Sequence, residues 1–331
     1  MSRSDSVKAI TGQQASSMSI KDIARGLMMP LAILGALLIF GFVEPRILSW
    51  DNLHNIAVQT SYLAIFAMAQ TMVILTRGFD LSLGFTVSLV SVGASMAMVS
   101  MGASETAILV GMGAGVLIAL CVGLANGLLI AGIGINPLVT TLGMANIVMA
   151  LASTISGGFP VTGIPAGFTA TFAQTSLLGL PAPIWIAALI FVLLHLILKA
   201  TRFGRSLYIV GASPKAAVAA GIRKFPILTI AYTICALLAG LGALLLTART
   251  GSGEPNLGGN LTLEAIAAAV VGGVRLSGGE GGVGAAVLGA LFVTVLSNGM
   301  NLVQIDGYLQ QICLGVIIII SLIISRDEFR R

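Results

Sequence analysis

Long apolar runs alternate with short polar or glycine-rich connections along nearly the whole chain. A membrane-spanning helix needs about 20 predominantly apolar residues to cross the hydrocarbon core of a bilayer. Ten apolar windows lie at 27–43, 53–75, 81–100, 106–131, 137–156, 184–200, 225–247, 261–274, 283–303 and 308–325. The pattern predicts an all-α integral membrane protein with about ten transmembrane helices. The window 261–274 is short for a full crossing, so we expect a broken or re-entrant helix there.

Composition supports the membrane assignment and excludes other classes. Of the 331 residues, 57% are apolar and 9% are charged, whereas a soluble domain carries roughly a quarter charged residues. The apolarity is continuous rather than alternating, which excludes a transmembrane β-barrel. The basic residues lie between the apolar runs, so the formal net charge of +5 does not indicate a nucleic-acid partner. The three cysteines lie inside apolar stretches, without the spacing of a disulfide framework or a metal site.

The distribution of lysine and arginine predicts the orientation. Cytoplasmic loops retain positive charge. With the N-terminus inside, 15 of the 17 basic residues fall on the inner side, and Arg46 and Arg249 fall on the outer side. We therefore expect both termini in the cytoplasm. The expected divisions are a cytoplasmic tail at 1–25, a transmembrane domain at 26–325 that contains a cytoplasmic loop at 201–224, and a cytoplasmic end at 326–331.

Two pairs of short segments suggest an internal repeat. DLSLG at 80–84 matches NLTLE at 260–264 at an offset of 180, and Asn126 and Asn298 begin the similar segments NGLL and NGMN at an offset of 172. The members of each pair are five predicted spans apart, and an odd number of spans turns the second copy upside down. This is the pattern of an inverted repeat, as found in transporters. Chance matching in a chain rich in Gly, Ala and Leu is the alternative.

The segment LSGGE at 276–280 nearly matches LSGGQ, the signature of ATP-binding cassette (ABC) ATPases. Such an ATPase also needs a phosphate-binding loop of the form G-x-x-x-x-G-K-[ST]. None of the five lysines follows a glycine or precedes Ser or Thr, and the segment lies between two apolar windows. We therefore expect no ATPase site on this chain. The segment instead predicts a tight glycine-rich connection, with Arg275 and Glu280 at the inner surface.

Motifs along most of the chain resemble the permease subunits of bacterial ABC importers of the ribose/monosaccharide type. GFDLSLG at 78–84 is similar to the family's G-x-D-L-S-V-G, with leucine where valine is usual. NPLVTTLGM at 136–144 is similar to its P-F-hydrophobic-x-T-L-G. TRFGRSLYIVGASPKAAVAAGI at 201–222 follows a third family pattern, except that Gly-Ala-Ser replaces Gly-Gly-Asn. The stretch at 264–292 resembles the family's C-terminal part.

The resemblance implies a transport subunit and not an enzyme. Two permeases, identical or related, would form the pathway for a small polar solute, with a pentose, hexose or polyol as the favoured cargo. ABC ATPase subunits would dock from the cytosol, and a periplasmic binding protein would deliver the solute. The chain would bind no cofactor, because ATP and magnesium would be held by the partner ATPase. The expected location is the bacterial inner membrane, in contact with lipid and without nucleic acid.

The loop at 201–224 is the expected coupling site. Within it, SPKAAVAAGI is typical of a short helix with serine as its cap, proline at its first position and glycine at its end. By resemblance this is the coupling helix that docks into a groove of the ATPase. An ordinary positively charged inner loop is the alternative. The residues assigned to coupling are Arg205, Ser213, Pro214, Lys215, Ala216, Ala217 and Gly221.

Amides and hydroxyls in or beside the spans are candidates for lining the pathway. Such groups exchange hydrogen bonds with sugar hydroxyls without a charge that would trap the solute, although helix packing uses the same groups. The candidates are Asn126, Asn136, Thr140, Thr141, Asn146, Asn298 and Asn301.

Asp80 and Glu264 are carboxylates at the starts of two predicted helices. We expect a structural or gating role for both, because a carboxylate there meets the positive end of the helix dipole. Arg77 also offers Asp80 an ion-pair partner. The alternative is a direct functional role, since ionisable groups at membrane depth are often functional.

Other functional classes stay open on the sequence alone. An ion-gradient-driven secondary carrier would need an interior carboxylate that titrates or binds a cation, and Asp80 and Glu264 are the candidates. A permease of the same fold could instead import branched-chain amino acids, nucleosides or a signalling furanose. His54 and His195 lack the neighbours of a metal site or a catalytic triad, so we expect neither to be catalytic.

Overall fold

The fold is almost entirely helical, which confirms the predicted class. The computed structural model describes residues 20–102 and 104–327. Within these residues the α-helices are α1 Ile20–Val43, α2 Trp50–Ile74, α3 Leu83–Ser100, α4 Glu105–Leu128, α5 Pro137–Ser156, α6 Ala166–Thr169, α7 Ala182–Ala200, α8 Arg202–Ala212, α9 Pro214–Ala219, α10 Lys224–Thr250, α11 Leu261–Val271, α12 Val283–Leu302 and α13 Gly307–Asp327. Residues 1–19 of the predicted tail and 328–331 of the predicted C-terminal end lie outside the described residues.

Short segments of other geometry separate some of the helices. They are a 3₁₀ turn at Pro45–Leu48, π-helical turns at Leu129–Ile133 and Ala170–Gln174, and the strands β1 Ser176–Leu177 and β2 Leu180–Pro181. The two strands form an antiparallel hairpin. The connection at 157–183 contains α6 and this hairpin. Phe168 anchors it, because its buried ring lies 5.4 Å from the ring of Phe172, centroid to centroid.

Among the described residues, seven helices are long and apolar enough to cross a membrane. They are α2, α3, α4 with the π turn that follows it, α5, α7, α10 and α12. Shorter apolar segments occur at Leu27–Val43 of α1, in α11 and at Gly307–Ile317 of α13. Each of the ten predicted windows therefore falls on one of these helices. A count of ten complete crossings stays a prediction.

Helix α11 is a half-length helix, as the short window at 261–274 predicts. It has 11 residues, which is about 16 Å at 1.5 Å per residue and roughly half the hydrocarbon thickness of a bilayer. Its alanine-rich face packs against α2 and α12, with Ala265 and Ala268 fully buried. Small side chains let neighbouring helices approach closely, so protein contacts hold α11 along this face.

The predicted inverted repeat groups α2 to α5 as one unit and α10 to α13 as the other. The end of α4 lies against the start of α10, where the Thr229 hydroxyl donates a hydrogen bond to the Gly127 carbonyl (3.4 Å). The end of α12 lies against the start of α2, where Asn298 and Asn52 exchange side-chain hydrogen bonds of 2.8 and 3.1 Å. In the predicted repeat α4 corresponds to α12 and α10 to α2. The two contacts therefore join equivalent pairs of helices.

The two units also meet where α3 and α11 begin. The Gly84 amide donates a hydrogen bond to Thr262 Oγ1 (2.8 Å), and the Gly258 amide donates one to Ser88 Oγ (3.0 Å). A side chain at Gly84 or Gly258 would overlap the carbonyl oxygen of the other residue, so glycine is needed on both sides of this crossing. Gly84 belongs to the DLSLG segment and Thr262 to the NLTLE segment. The two similar segments therefore contact each other where the units meet.

The connections collect at the two ends of α10, which has 27 residues and is therefore about 40 Å long. At its start, beside α9, the Gly279 amide donates a hydrogen bond to the Leu75 carbonyl (3.0 Å). At its end, Val161 of the connection that carries the hairpin pairs with Gly253. These two ends are named the α9 end and the hairpin end.

Candidate functional site

The predicted coupling residues lie at the α9 end. Ser213 Oγ accepts a hydrogen bond from the Ala216 amide (3.2 Å) and so caps α9, and Pro214 occupies the first position of the helix. Ala217 is fully buried, whereas Lys215 and Ala216 are exposed. The short capped helix is confirmed. One side of it faces the bundle and the other is a small, alanine-rich surface.

The remaining coupling candidates lie on either side of the cap. Arg205 is exposed on α8, and its guanidinium donates a long hydrogen bond of 3.5 Å to the Ala200 carbonyl. Gly221 follows α9 with a φ of 73°, the left-handed conformation that commonly ends a helix. The predicted end of the helix is therefore confirmed.

Helix α8 is fixed to the connection that follows α2. Arg77 donates hydrogen bonds through Nε to the Gly211 carbonyl and through Nη2 to the Ala212 carbonyl (2.6 Å). Carbonyls in the last turn of a helix lack partners within it, and a cation there also meets the negative end of the helix dipole. A Cβ at Gly211 would overlap the Leu75 carbonyl oxygen, so the two backbones touch. These contacts join the end of α8 to the segment before Asp80.

The LSGGE segment joins the same end of the bundle. The side chains of Arg275 and Glu280 form an ion pair of 2.8 Å, and the Arg275 amide donates a hydrogen bond to the Glu280 carbonyl (3.1 Å). The Tyr208 hydroxyl, on α8, donates a hydrogen bond of 2.9 Å to the Gly281 carbonyl, and burial raises the pKa of this tyrosine. The tight connection predicted here is confirmed, and it braces α8 from a second side.

Asp80 is buried just before α3, and its partners are hydroxyl and amide groups. Asp80 Oδ1 accepts hydrogen bonds from the Ser82 amide (2.9 Å) and from Ser82 Oγ (2.5 Å). Gln70 donates a hydrogen bond to the Asp80 carbonyl (2.9 Å). The expected ion pair between Arg77 and Asp80 is wrong, because the guanidinium of Arg77 reaches the carbonyls of α8 instead.

Two predicted pathway residues join the hydrogen bonds around Asp80. Asn126 Nδ2 donates to Ser82 Oγ (2.9 Å). Thr141 Oγ1 accepts a hydrogen bond from the Leu81 amide (3.1 Å) and donates one to the Pro137 carbonyl (2.9 Å). Both side chains are fully buried, so in the single chain they tie α4 and α5 to the start of α3.

The other pathway candidates lie elsewhere. Asn136 caps α5, and the Thr140 hydroxyl donates a hydrogen bond to the Asn136 carbonyl (3.1 Å). Asn146 is exposed on α5, Asn301 is exposed at the end of α12, and Asn298 packs between α12 and α2. The fold places these side chains in several separate environments.

A polar cleft of about 380 Å³ lies between α2, α10, α11 and α12. Its polar lining residues are Gln59, Tyr62, Arg249, Glu264, Thr294 and Ser297. The guanidinium carbon of Arg249 lies 5.3 Å from the centroid of the Tyr62 ring, a cation–π contact. Leucine and valine side chains complete the walls. The volume falls in the range of about 300–1,000 Å³ that is typical of small-molecule sites.

A different helix places each wall of the cleft. Glu264 occupies the first turn of α11, Tyr62 the middle of α2 and Arg249 the last turn of α10. Thr294, nearly buried, faces the cleft from α12. Because Arg249 lies one residue from the end of α10, the cleft lies toward the hairpin end.

Sequence reasoning singled out Glu264 but missed the cleft. Arg249 entered only as a charge on the outer side, and Tyr62 was not singled out. The available signal was a cation in the last turn of an apolar helix and a tyrosine in the middle of another. Nothing along the chain shows that these two residues face each other, because they belong to opposite units of the repeat.

A bundle of apolar helices, seven of which among the described residues are long enough to cross a membrane, is the fold of a multi-pass membrane protein. The family model described as "Branched-chain amino acid transport system / permease component" matches residues 52–322. The chain belongs to this family of permeases. The resemblance to permease subunits of ABC importers, read from the motifs, is confirmed.

Curated relatives match the chain over most of its length. The ribose import permease protein RbsC of Escherichia coli (strain K12) is 33% identical over 304 residues, which cover 90% of this chain and 92% of the relative. The D-allose transport system permease protein AlsC of the same strain is 32% identical over 303 residues, 91% of each chain. Its galactose/methyl galactoside import permease protein MglC is 34% identical over 321 residues, 92% of this chain and 95% of the relative. No solved structure matches the chain.

Proposed function

We propose that this chain is the transmembrane subunit of an ATP-driven importer and forms the pathway for a monosaccharide. Relatives named as ribose, allose and galactose permeases support a sugar as the cargo. The chain itself is not an enzyme and binds no cofactor. ATP and magnesium belong to a partner ABC ATPase.

The observation that carries the proposal is that α9 exposes one side and is attached to the bundle through α8 on the other. Its outer side, with Lys215 and Ala216, is exposed and small enough to enter a groove. Its inner side is fixed through α8 to Arg77 and to the connection that ends at Asp80. An ATPase that grips α9 can therefore move the start of α3 as a rigid body, without any chemistry on this chain.

The proposed working cycle is the one that the family resemblance implies. Two permeases, identical or related, enclose the pathway in the bacterial inner membrane, with the α9 end and both termini in the cytoplasm. A periplasmic binding protein delivers the sugar at the hairpin end. Closure of the ATPases on ATP favours the outward-facing pathway, and hydrolysis restores the inward-facing one. In this cycle 26–325 is the transmembrane domain and 201–224 the coupling loop.

An amino acid is the second candidate cargo. The family description names branched-chain amino acids, and the cleft brings together one cation and one carboxylate, Arg249 and Glu264. A zwitterion could pair with both. Uptake measured with D-ribose, D-allose, D-galactose and L-leucine separates the two classes of cargo.

The proposal is tested at the docking surface. Lys215→Glu and Ala216→Pro should abolish co-purification with the ABC ATPase, because the first reverses the exposed charge and the second removes the amide that caps α9 on Ser213. Arg46→Glu, an exposed charge reversal away from α9, is the matched control and should leave association unchanged.

Membrane insertion of every variant is checked in parallel. Intact association of both α9 variants would count against the docking assignment. Uphill uptake by the purified chain without an ATPase, abolished by a protonophore, would instead indicate a secondary carrier.

A further inference from the structure

Four polar side chains of the cleft have no hydrogen-bond or ion-pair partner in the described part of the chain. No hydrogen bond or ion pair there involves the hydroxyls of Tyr62, Thr294 and Ser297 or the carboxylate of Glu264. Polar groups inside a protein are normally hydrogen-bonded to protein or water. These four groups are therefore available to a molecule that enters the cleft.

The hydrogen bonds around Asp80 provide the contrast. There, Ser82, Asn126 and Thr141 bond to one another's segments and tie three helices together. Hydrogen bonds of this kind serve helix packing, and of these three side chains Asn126 keeps one buried atom, Oδ1, without a partner. The unpartnered groups of the cleft face a space of about 380 Å³ instead.

The charges of the cleft remain available as well. Within the described residues, Arg249 and Glu264 form no ion pair with each other, and Arg249 lies over the ring of Tyr62. A guanidinium offers several N–H donors, and a carboxylate can accept hydrogen bonds from two neighbouring hydroxyls. Together they add no net charge, so an uncharged solute can bind without being held as a counter-ion.

We propose that this cleft contacts the hydroxyl groups of the transported sugar, with Glu264 as the main acceptor and Arg249 as the main donor. The proposal rests on the proposed function and adds the site of contact. Hydroxyls project from a sugar ring in all directions, and the cleft offers polar groups on α2, α10, α11 and α12. A branched-chain amino acid has its two charges at one end and leaves most of these groups unpaired, which is costly.

The position of Glu264 also links the cleft to the crossing between the two units. Thr262, two residues earlier on α11, accepts the hydrogen bond from the Gly84 amide at the start of α3 (2.8 Å). A shift of α3 that is driven from the α9 end would therefore move the first turn of α11. The sugar contacts would change with it, so binding and release follow the state of the pathway.

The test uses the complete transporter, with its ATPase and binding protein, reconstituted in vesicles. Glu264→Gln should lower uptake of the transported sugar about tenfold, because a hydrogen bond to a charged group is among the strongest a site can offer. It should also change the relative rates for D-ribose, D-allose and D-galactose. ATP hydrolysis stimulated by the loaded binding protein should persist, since the ATPase contact is untouched.

Glu105→Gln is the matched control. It removes an exposed carboxylate from the first turn of α4, outside the cleft, and should leave uptake and sugar preference unchanged. Thr294→Val and Tyr62→Phe remove single hydroxyls with little change of shape, and each should shift the sugar preference. Thermal unfolding of every variant in detergent separates misfolding from loss of contact.

The outcomes separate the two proposals. If the wild-type transporter imports sugar on ATP and all three cleft variants keep its rate and preference, the cleft proposal is overturned and the proposed function stands. If the wild type imports L-leucine in place of sugars, the hydroxyl contact is overturned together with the proposed cargo. If the wild type imports nothing on ATP, the proposed function is overturned, and the cleft proposal that rests on it is overturned with it.

Discussion

At the scale of single residues, the turn that Asp80 closes explains why a carboxylate is buried next to α3. Its Oδ1 atom holds the amide and the hydroxyl of Ser82. A buried charge without partners would cost several kcal/mol, and these hydrogen bonds offset part of that cost. An asparagine side chain would present the same oxygen to Ser82. The two hydrogen bonds to Ser82 therefore require an acceptor oxygen, which asparagine also supplies.

Substitutions at Asp80 should separate the contribution of the acceptor oxygen from that of the charge. Asp80→Ala removes the acceptor and should lower the free energy of unfolding by about 1–2 kcal/mol, whereas Asp80→Asn should stay close to the wild type. Thermal unfolding in detergent measures both, with Asp51→Ala, at the start of α2, as the control for removing a carboxylate near a helix start. Loss of ATP-driven uptake in a fully stable Asp80→Asn protein would show that the charge itself has a role.

At the scale of elements, α8 and α9 are attached to the rest of the bundle through contacts on two sides of α8. Arg77 holds the last turn of α8, and the Tyr208 hydroxyl reaches the connection that carries LSGGE. The serine cap, the proline and the glycine of α9 can be read along the chain because capping is local. The attachment of α8 cannot, because Arg77 and Gly211 lie far apart in sequence and meet only in the folded bundle.

Arg77→Gln tests the attachment of α8. Loss of the two hydrogen bonds should lower uptake about thirtyfold, since two bonds of about 1 kcal/mol each contribute about 2 kcal/mol together, while the ATPase still binds and hydrolyses ATP. The ratio of sugar imported to ATP hydrolysed measures the effect. Arg77→Lys, which retains a cation near the end of α8, should recover part of the ratio. A parallel fall of ATP hydrolysis and uptake would show that Arg77 supports assembly and not transmission.

At the scale of the whole molecule, the crossing of Gly84 and Gly258 joins the two units of the repeat. It places the starts of α3 and α11 side by side and the polar cleft next to them. The α9 end and the hairpin end then lie at opposite ends of α10. With the basic residues gathered toward the α9 end, the positive-inside rule predicts that this end lies in the cytoplasm.

Cysteine labelling tests the orientation. In a chain whose three native cysteines are replaced, Leu178→Cys at the exposed tip of the hairpin should react with a membrane-impermeant maleimide in intact cells. Lys215→Cys should react only after the membrane is opened. Labelling of Lys215→Cys in intact cells would reverse the assigned topology and remove the basis for ATPase docking.

The sequence by itself determined the membrane class, the positions of the apolar helices and the cap of α9. These features depend on composition, periodicity and contacts between near neighbours, which the chain records directly. Only the tertiary structure decided that Arg77 bonds to α8 and not to Asp80, that Asn126 and Thr141 lie around Asp80, and that Tyr62, Arg249 and Glu264 share one cleft. Such arrangements depend on how distant helices rotate and cross, and one polar residue on an apolar helix does not reveal which neighbour it will face.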